Sequence, residues 1–222
     1  MGFRYYLYVS DSKVDMLLPQ IDPSFGQKKT REFGIDAKVA SYRDVTESTP
    51  NDDRISRLDR VVSHLEKHGE LGSVDEPGTF FREQLAMRWN VLTDSDGTSL
   101  AYFGGRTDSG VVVGLGGSTH HVLGASPDAG GIPTLARSLL PSLLDGLRVD
   151  PEIDSLVNGD PGHRATPEAA TLNAVRRTVE ALQGPAQTME FVAKRLLHGP
   201  SPDPEDRSIV LLGSPLYVAT VD

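Results

Sequence analysis

His120 and His121 are the side chains best suited to proton transfer or metal ligation here, because imidazole changes charge near neutral pH. They follow Gly114-Leu115-Gly116-Gly117-Ser118, where the missing Cβ atoms would let an anion approach several backbone amides. On a strand, adjacent side chains point to opposite faces, so at most one of the two histidines shares any one site. Glu83 is the next candidate. It falls on the same alternate set as Phe81, Leu85 and Met87, a pattern that turns its carboxylate toward an apolar side, where it would suit general acid or base work. The ordinary reading is a carboxylate near the start of a strand that reaches water or an arginine. Arg106, closing Phe103-Gly104-Gly105-Arg106, supplies a cation for an anionic group. The candidates for acid-base catalysis are therefore Glu83, His120 and His121. Those for ligand binding are Arg106, Gly116, Gly117, Ser118 and His121, as a site for a small anionic or polar ligand.

Other chemistries find little support. Asp11, Lys13 and Asp15 could hold Mg²⁺ or a phosphate at a helix start, but helix capping already accounts for Asp11 and Ser12. The glycine-rich stretch lacks the Lys-Ser/Thr that ends a Walker loop, and no Gly-x-Ser-x-Gly marks a hydrolase nucleophile. With no cysteine, thiolate nucleophiles, disulfides and thiolate metal sites are excluded, and a reducing compartment fits. No metal or cofactor is assigned. Net charge is −9, and the 22 lysines and arginines are scattered, which argues against nucleic acid and anionic membranes as partners. Phe3 to Val9 is a short apolar run broken by Arg4, a strand rather than a signal peptide. Nowhere do the roughly 18 apolar residues of a membrane-spanning helix run together. The reading is of a cytoplasmic protein.

The elements that must position these residues follow from periodicity. Phe3 to Val9 reads as a strand, and Lys13 to Leu18 as a short helix that Pro19 begins to break. Ile35 to Tyr42 alternates as a strand. From Asn51 to His68, Ile55, Leu58, Val61, Val62 and Leu65 recur at helical intervals before Gly69. Phe81 to Val91 is the clearest strand, with further strands at Thr98 to Gly104 and Val111 to Ser118 across turn-forming segments. Helices are expected near Pro133 to Leu147, Pro167 to Gln183 and Ala186 to His198, the second opened by Thr166-Pro167-Glu168. Ser208 to Val221 closes the chain as a buried strand pair, or as one strand with a bend at Gly213-Ser214-Pro215, beside the N-terminal strand. The fold class is α+β: an antiparallel β-meander combined with N- and C-terminal strands, covered by about four to five helices. One domain over residues 1–222 is the simplest organisation.

The segments YYLYVSDSKVDMLLPQI, FGGRTDSGVVVGLGGSTHHVLG and LLGSPLYVA together resemble an uncharacterised actinobacterial family of unknown function, of the kind found in Streptomyces. That resemblance implies a source and a single unit; it carries no catalytic residue. The leading functional reading is a non-catalytic ligand-binding or protein-interaction protein, an accessory or sensor component of a bacterial cytoplasmic system. The alternative is a small-molecule enzyme with an acid-base site on the central meander.

Overall fold

The computed structural model describes residues 3–22, 50–124, 140–147, 166–203 and 205–221. The expected strand at 35–42 and the first part of the helix expected from 133 lie outside them. The chain divides into two compact units, one of Met1–Ser10 with Glu70–Asp222 and one of Asp11–Gly69.

The first unit is built on a seven-stranded mixed sheet: β1 (Arg4–Val9), β2 (Leu71–Gly72), β3 (Phe80–Thr93), β4 (Ser99–Arg106), β5 (Val111–Ser118), β6 (Gln187–Pro200) and β7 (Ile209–Val221). β3, β4 and β5 form the expected antiparallel meander. β5 then pairs in parallel with β7, β7 antiparallel with β6, and β6 antiparallel with β3, so five strands close into a barrel. β1 adds to β7 antiparallel, placing the two terminal strands side by side, and β2 adds to β3 in parallel. Together with the helices this is an α+β fold, in which the expected antiparallel meander and the terminal strands belong to one mixed sheet.

Alternation divides each strand between two cores. Ala101 and Phe103 of β4, Val111, Val113 and Leu115 of β5, and Met189, Phe191 and Ala193 of β6 fill the barrel. Leu100, Tyr102, Val112, Val210 and Leu212 point outward instead. There they meet α3 (Leu140–Gly146) and α4 (Pro167–Ala181), which contribute Leu143, Leu172, Val175 and Val179. α4 starts where Thr166 accepts a hydrogen bond from the Ala169 amide at 3.2 Å, with Pro167 in the first turn, as its sequence predicts.

Residues 187–200 correct one expectation, because they form β6 and not a helix. Two apolar doublets, Val192-Ala193 and Leu196-Leu197, imitate helical spacing. Both fall at irregularities in the β6–β7 register: beside Val192-Ala193 the extra residue is Leu216 of β7, whereas Leu196 is itself the extra residue of β6 and packs with Leu197 against the outer core. A strand there also satisfies its backbone on both sides, against β3 and β7.

The second unit contains α1 (Asp11–Ile21) and α2 (Pro50–Lys67). Asp11 meets Arg54 through two hydrogen bonds of 2.7 and 2.6 Å, Asp15 meets Arg57, and Asp22 lies 3.8 Å from Arg60. These rungs advance in the same order along both helices, so the pair is parallel. α1 begins two residues earlier than its sequence suggests and continues past Pro19. The Asp22 amide still donates to Leu18 at 2.9 Å, and the Gln20 side chain reaches the Met16 carbonyl at 2.8 Å. Val14, Leu18, Leu58, Val61 and Leu65 are the buried apolar positions of the pair.

Candidate functional site

One end of the barrel gathers exposed apolar side chains on the inward face of its strands. β3 and β5 finish at this end, while β1, β4 and β6 begin there. Cross-strand partners share a face, so the row Tyr5, Thr220, Met189 and Leu85 turns Tyr5 to the same side as the core residues Met189 and Leu85. Phe3 immediately precedes β1. On β3, Trp89 and Val91 continue the inward set of Leu85 and Met87 beyond Met87, the last residue of β3 paired with β6. The interior face therefore outlasts the wall that would cover it. Phe3 is 79% exposed, Tyr5 59%, Val91 45% and Trp89 37%.

Aromatic contacts tie this surface to the core. Trp89 stacks on Phe103 with centroids 5.7 Å apart and planes at 23°. Phe103 meets the edge of Tyr8 at 6.0 Å, and Tyr8 meets His121 at 5.7 Å, both T-shaped. Tyr8, fully buried, occupies the space where Gly117 would carry a Cβ.

Most of the sequence candidates are dispersed. Ser118, His120 and His121 stand at the aromatic end, on a 3-10 turn (Thr119–His121) that Ser118 caps by accepting from the His120 amide at 3.3 Å. The histidines are thus not strand neighbours, and the expectation that they alternate between faces does not apply. His120 is exposed, whereas His121 packs against Tyr8. Gly116 and Gly117 are buried inside β5, with Leu143 and Tyr8 filling the places of their side chains. Arg106 pairs with Val112, six residues from Ser118, about 20 Å away along the strand. It lies 3.7 Å from Glu180 and 3.9 Å from Asp206. Glu83 is half-buried opposite Phe191 and accepts from the Gln84 amide at 3.2 Å. Since Leu92 and Leu100 stand level with Ser118, Glu83 lies nine residues back along β3, about 30 Å of extended chain. Asp11 and Asp15 are engaged by Arg54 and Arg57.

The family of unknown function DUF7019 matches residues 4–222. The chain belongs to DUF7019. No curated protein and no solved structure matches it. The match includes the helix pair as well as the barrel, so both compact units are part of what defines a DUF7019 chain.

Two polar clusters of this DUF7019 chain were not legible in its sequence. On the outer face, Tyr217 of β7 donates to Glu190 of β6, and Arg4 of β1 lies 2.8 Å from the same carboxylate. Burial, and then the Glu190 carboxylate, push the Tyr217 phenol well above the usual tyrosine range. At the opposite end of the barrel from the aromatic surface, Arg176 of α4 lies 3.1 Å from Glu180 and 3.2 Å from Asp203. The first cluster exists because β7 pairs with both β1 and β6, and the second because α4 packs beside the β6–β7 connection that carries Asp203. Among the described residues no three histidine, aspartate or glutamate side chains converge as a metal site. None of the described helices is long and apolar enough to cross a membrane.

Proposed function

We propose that this DUF7019 chain is a non-catalytic binding protein that takes a small ligand with a planar, largely apolar body at the aromatic end of its barrel. The observation that carries the reading is the inward-facing set of Tyr5, Trp89 and Val91, exposed where the neighbouring wall stops, with exposed Phe3 just ahead of β1. Barrel mouths are favoured places for ligands, and Trp89, held against Phe103, offers a rigid aromatic platform. The acid-base alternative has less support, since Glu83 and the histidines lie far apart along the sheet. A thiol-free, acidic chain fits an accessory or sensor role in a bacterial cytoplasm, and the resemblance read from its sequence favours an actinobacterial source.

Trp89 is the sole tryptophan, so its emission reports on this surface directly. Anilinonaphthalene sulfonate, a planar apolar probe, should bind the folded chain with energy transfer from Trp89. Removing one stacking partner by Trp89→Ala or Tyr5→Ser should weaken binding by about two- to tenfold with little change in Tm. Absence of binding by the native chain, or affinity indifferent to both substitutions, would refute the proposal.

A further inference from the structure

The helix pair carries a second concave surface, of different chemistry and independent of the barrel. A cleft of about 480 Å³ opens between α1 and α2, within the size range of small-molecule sites. Its apolar floor is Leu18, which is 1% exposed, with Ile21. Along α2, Arg60, His64 and Lys67 recur at intervals of four and three residues and so share one face, with the Ser63 hydroxyl beside them. Two carboxylates also line the cleft. Asp22 lies 3.8 Å from Arg60, so those two charges largely offset each other. Asp59 stands one turn before Ser63 and makes that end of the cleft unfavourable for an anion. The other end has no such opposition: among the described residues no carboxylate pairs with Lys67, and the ring of His64 rests on His68 at 4.1 Å. The cleft is therefore graded, from acidic at Asp59 to cationic at Lys67, with the His64 imidazole beside it, over an apolar floor.

We propose that this cleft binds a small phosphate monoester with an apolar body. The phosphate sits against Ser63, His64 and Lys67, and the body lies over Leu18 and Ile21. A phosphate dianion suits the place because it accepts hydrogen bonds from a hydroxyl, an imidazole and an ammonium together. Last-turn cations also complement the helix dipole, but that role would need neither the floor nor Ser63.

The test is titration of the full-length chain with phenyl phosphate, followed by calorimetry and by amide chemical shifts. Lys67→Gln and His64→Gln should each weaken binding by about fivefold or more, and Asp59→Asn should tighten it, as charge-assisted contacts predict. Inorganic phosphate should bind more weakly than phenyl phosphate, because it forgoes the floor. Trp89→Ala should leave the affinity intact, which keeps this result separate from the barrel reading. No binding at millimolar concentration would overturn the proposal, as would affinity indifferent to the α2 substitutions, equal binding of inorganic phosphate, or loss of binding in Trp89→Ala.

Discussion

At the scale of single residues, the glycines of Gly114-Leu115-Gly116-Gly117 were read as places where a ligand nears the backbone, and in the folded chain protein atoms fill the same spaces. A Cβ on Gly117 would collide with the fully buried Tyr8 ring, which is wedged between Phe103 and His121. Tyr8 has no slack to yield. Gly117→Ala should therefore destabilise the fold by about 1–3 kcal/mol, the usual cost of overpacking a closed core. Chemical denaturation checks it, and an unchanged midpoint would mean that the Tyr8 ring can move. Glycine content was visible in the sequence, but what fills the space beside each glycine depends on the fold: Tyr102 and Val175 at Gly114, Leu143 at Gly116, and at Gly117 the Tyr8 ring from a strand more than a hundred residues away. The same limit hid the exposed aromatic set: Trp89 and Val91 read as ordinary inward positions, because only the end of β6 pairing at Met87 reveals that they lie uncovered.

At the scale of elements, legibility followed how locally each pattern is enforced. α2, α4 and the meander strands were readable because caps, turns and unbroken periodicity lie within each segment. β6 was not, because its apolar doublets Val192-Ala193 and Leu196-Leu197 mimic helical spacing, and the register irregularities beside them exist only once β6 pairs with β7. The closing of the barrel escaped for a related reason, since the parallel β5–β7 pairing joins segments separated by the whole α3 and α4 region. β7 is the element on which the rest depends. It pairs with β6 along its length, with β5 through its first half and with β1 through its second. Ending the chain at residue 208 would remove all three ladders and leave open edges on three strands. Such a chain should show no cooperative thermal transition by circular dichroism and should aggregate on expression. A soluble truncation with a sharp melt would show that the remaining strands close without β7.

At the scale of the whole molecule, titration of buried groups bounds the pH range in which the fold is stable. Tyr102 is fully buried, and its hydroxyl has no hydrogen-bond partner among the described residues. Burial alone pushes its phenol above the usual tyrosine range. Tyr217, 2% exposed, is pushed the same way by burial and then by Glu190. In the unfolded chain both phenols lose their protons near about pH 10. Above that pH the folded state holds protons that the unfolded state has released, so stability is complete below it and declines as pH rises further. At the acid end Asp206 acts in the opposite direction. The Ser208 amide, and secondarily its hydroxyl, hold this carboxyl below the ordinary carboxylate range, so its contribution is present at neutral pH and fades with acidification. Tm should therefore be nearly flat from about pH 5 to about pH 9 and fall beyond about pH 10, by roughly 1.4 kcal/mol of stability per pH unit for each buried phenol. Tyr102→Phe is the clean variant, because it removes a hydroxyl that forms no bond, whereas Tyr217→Phe would also strip a donor from Glu190. At pH 7 the Tyr102→Phe chain should match or exceed the parent in Tm, since a buried hydroxyl without a partner costs about 1–3 kcal/mol. At pH 11 it should retain about half of the stability that the parent loses. A parent chain equally stable at pH 8 and pH 11, or a variant that loses stability at pH 7, would show that Tyr102 is hydrogen-bonded or reaches solvent.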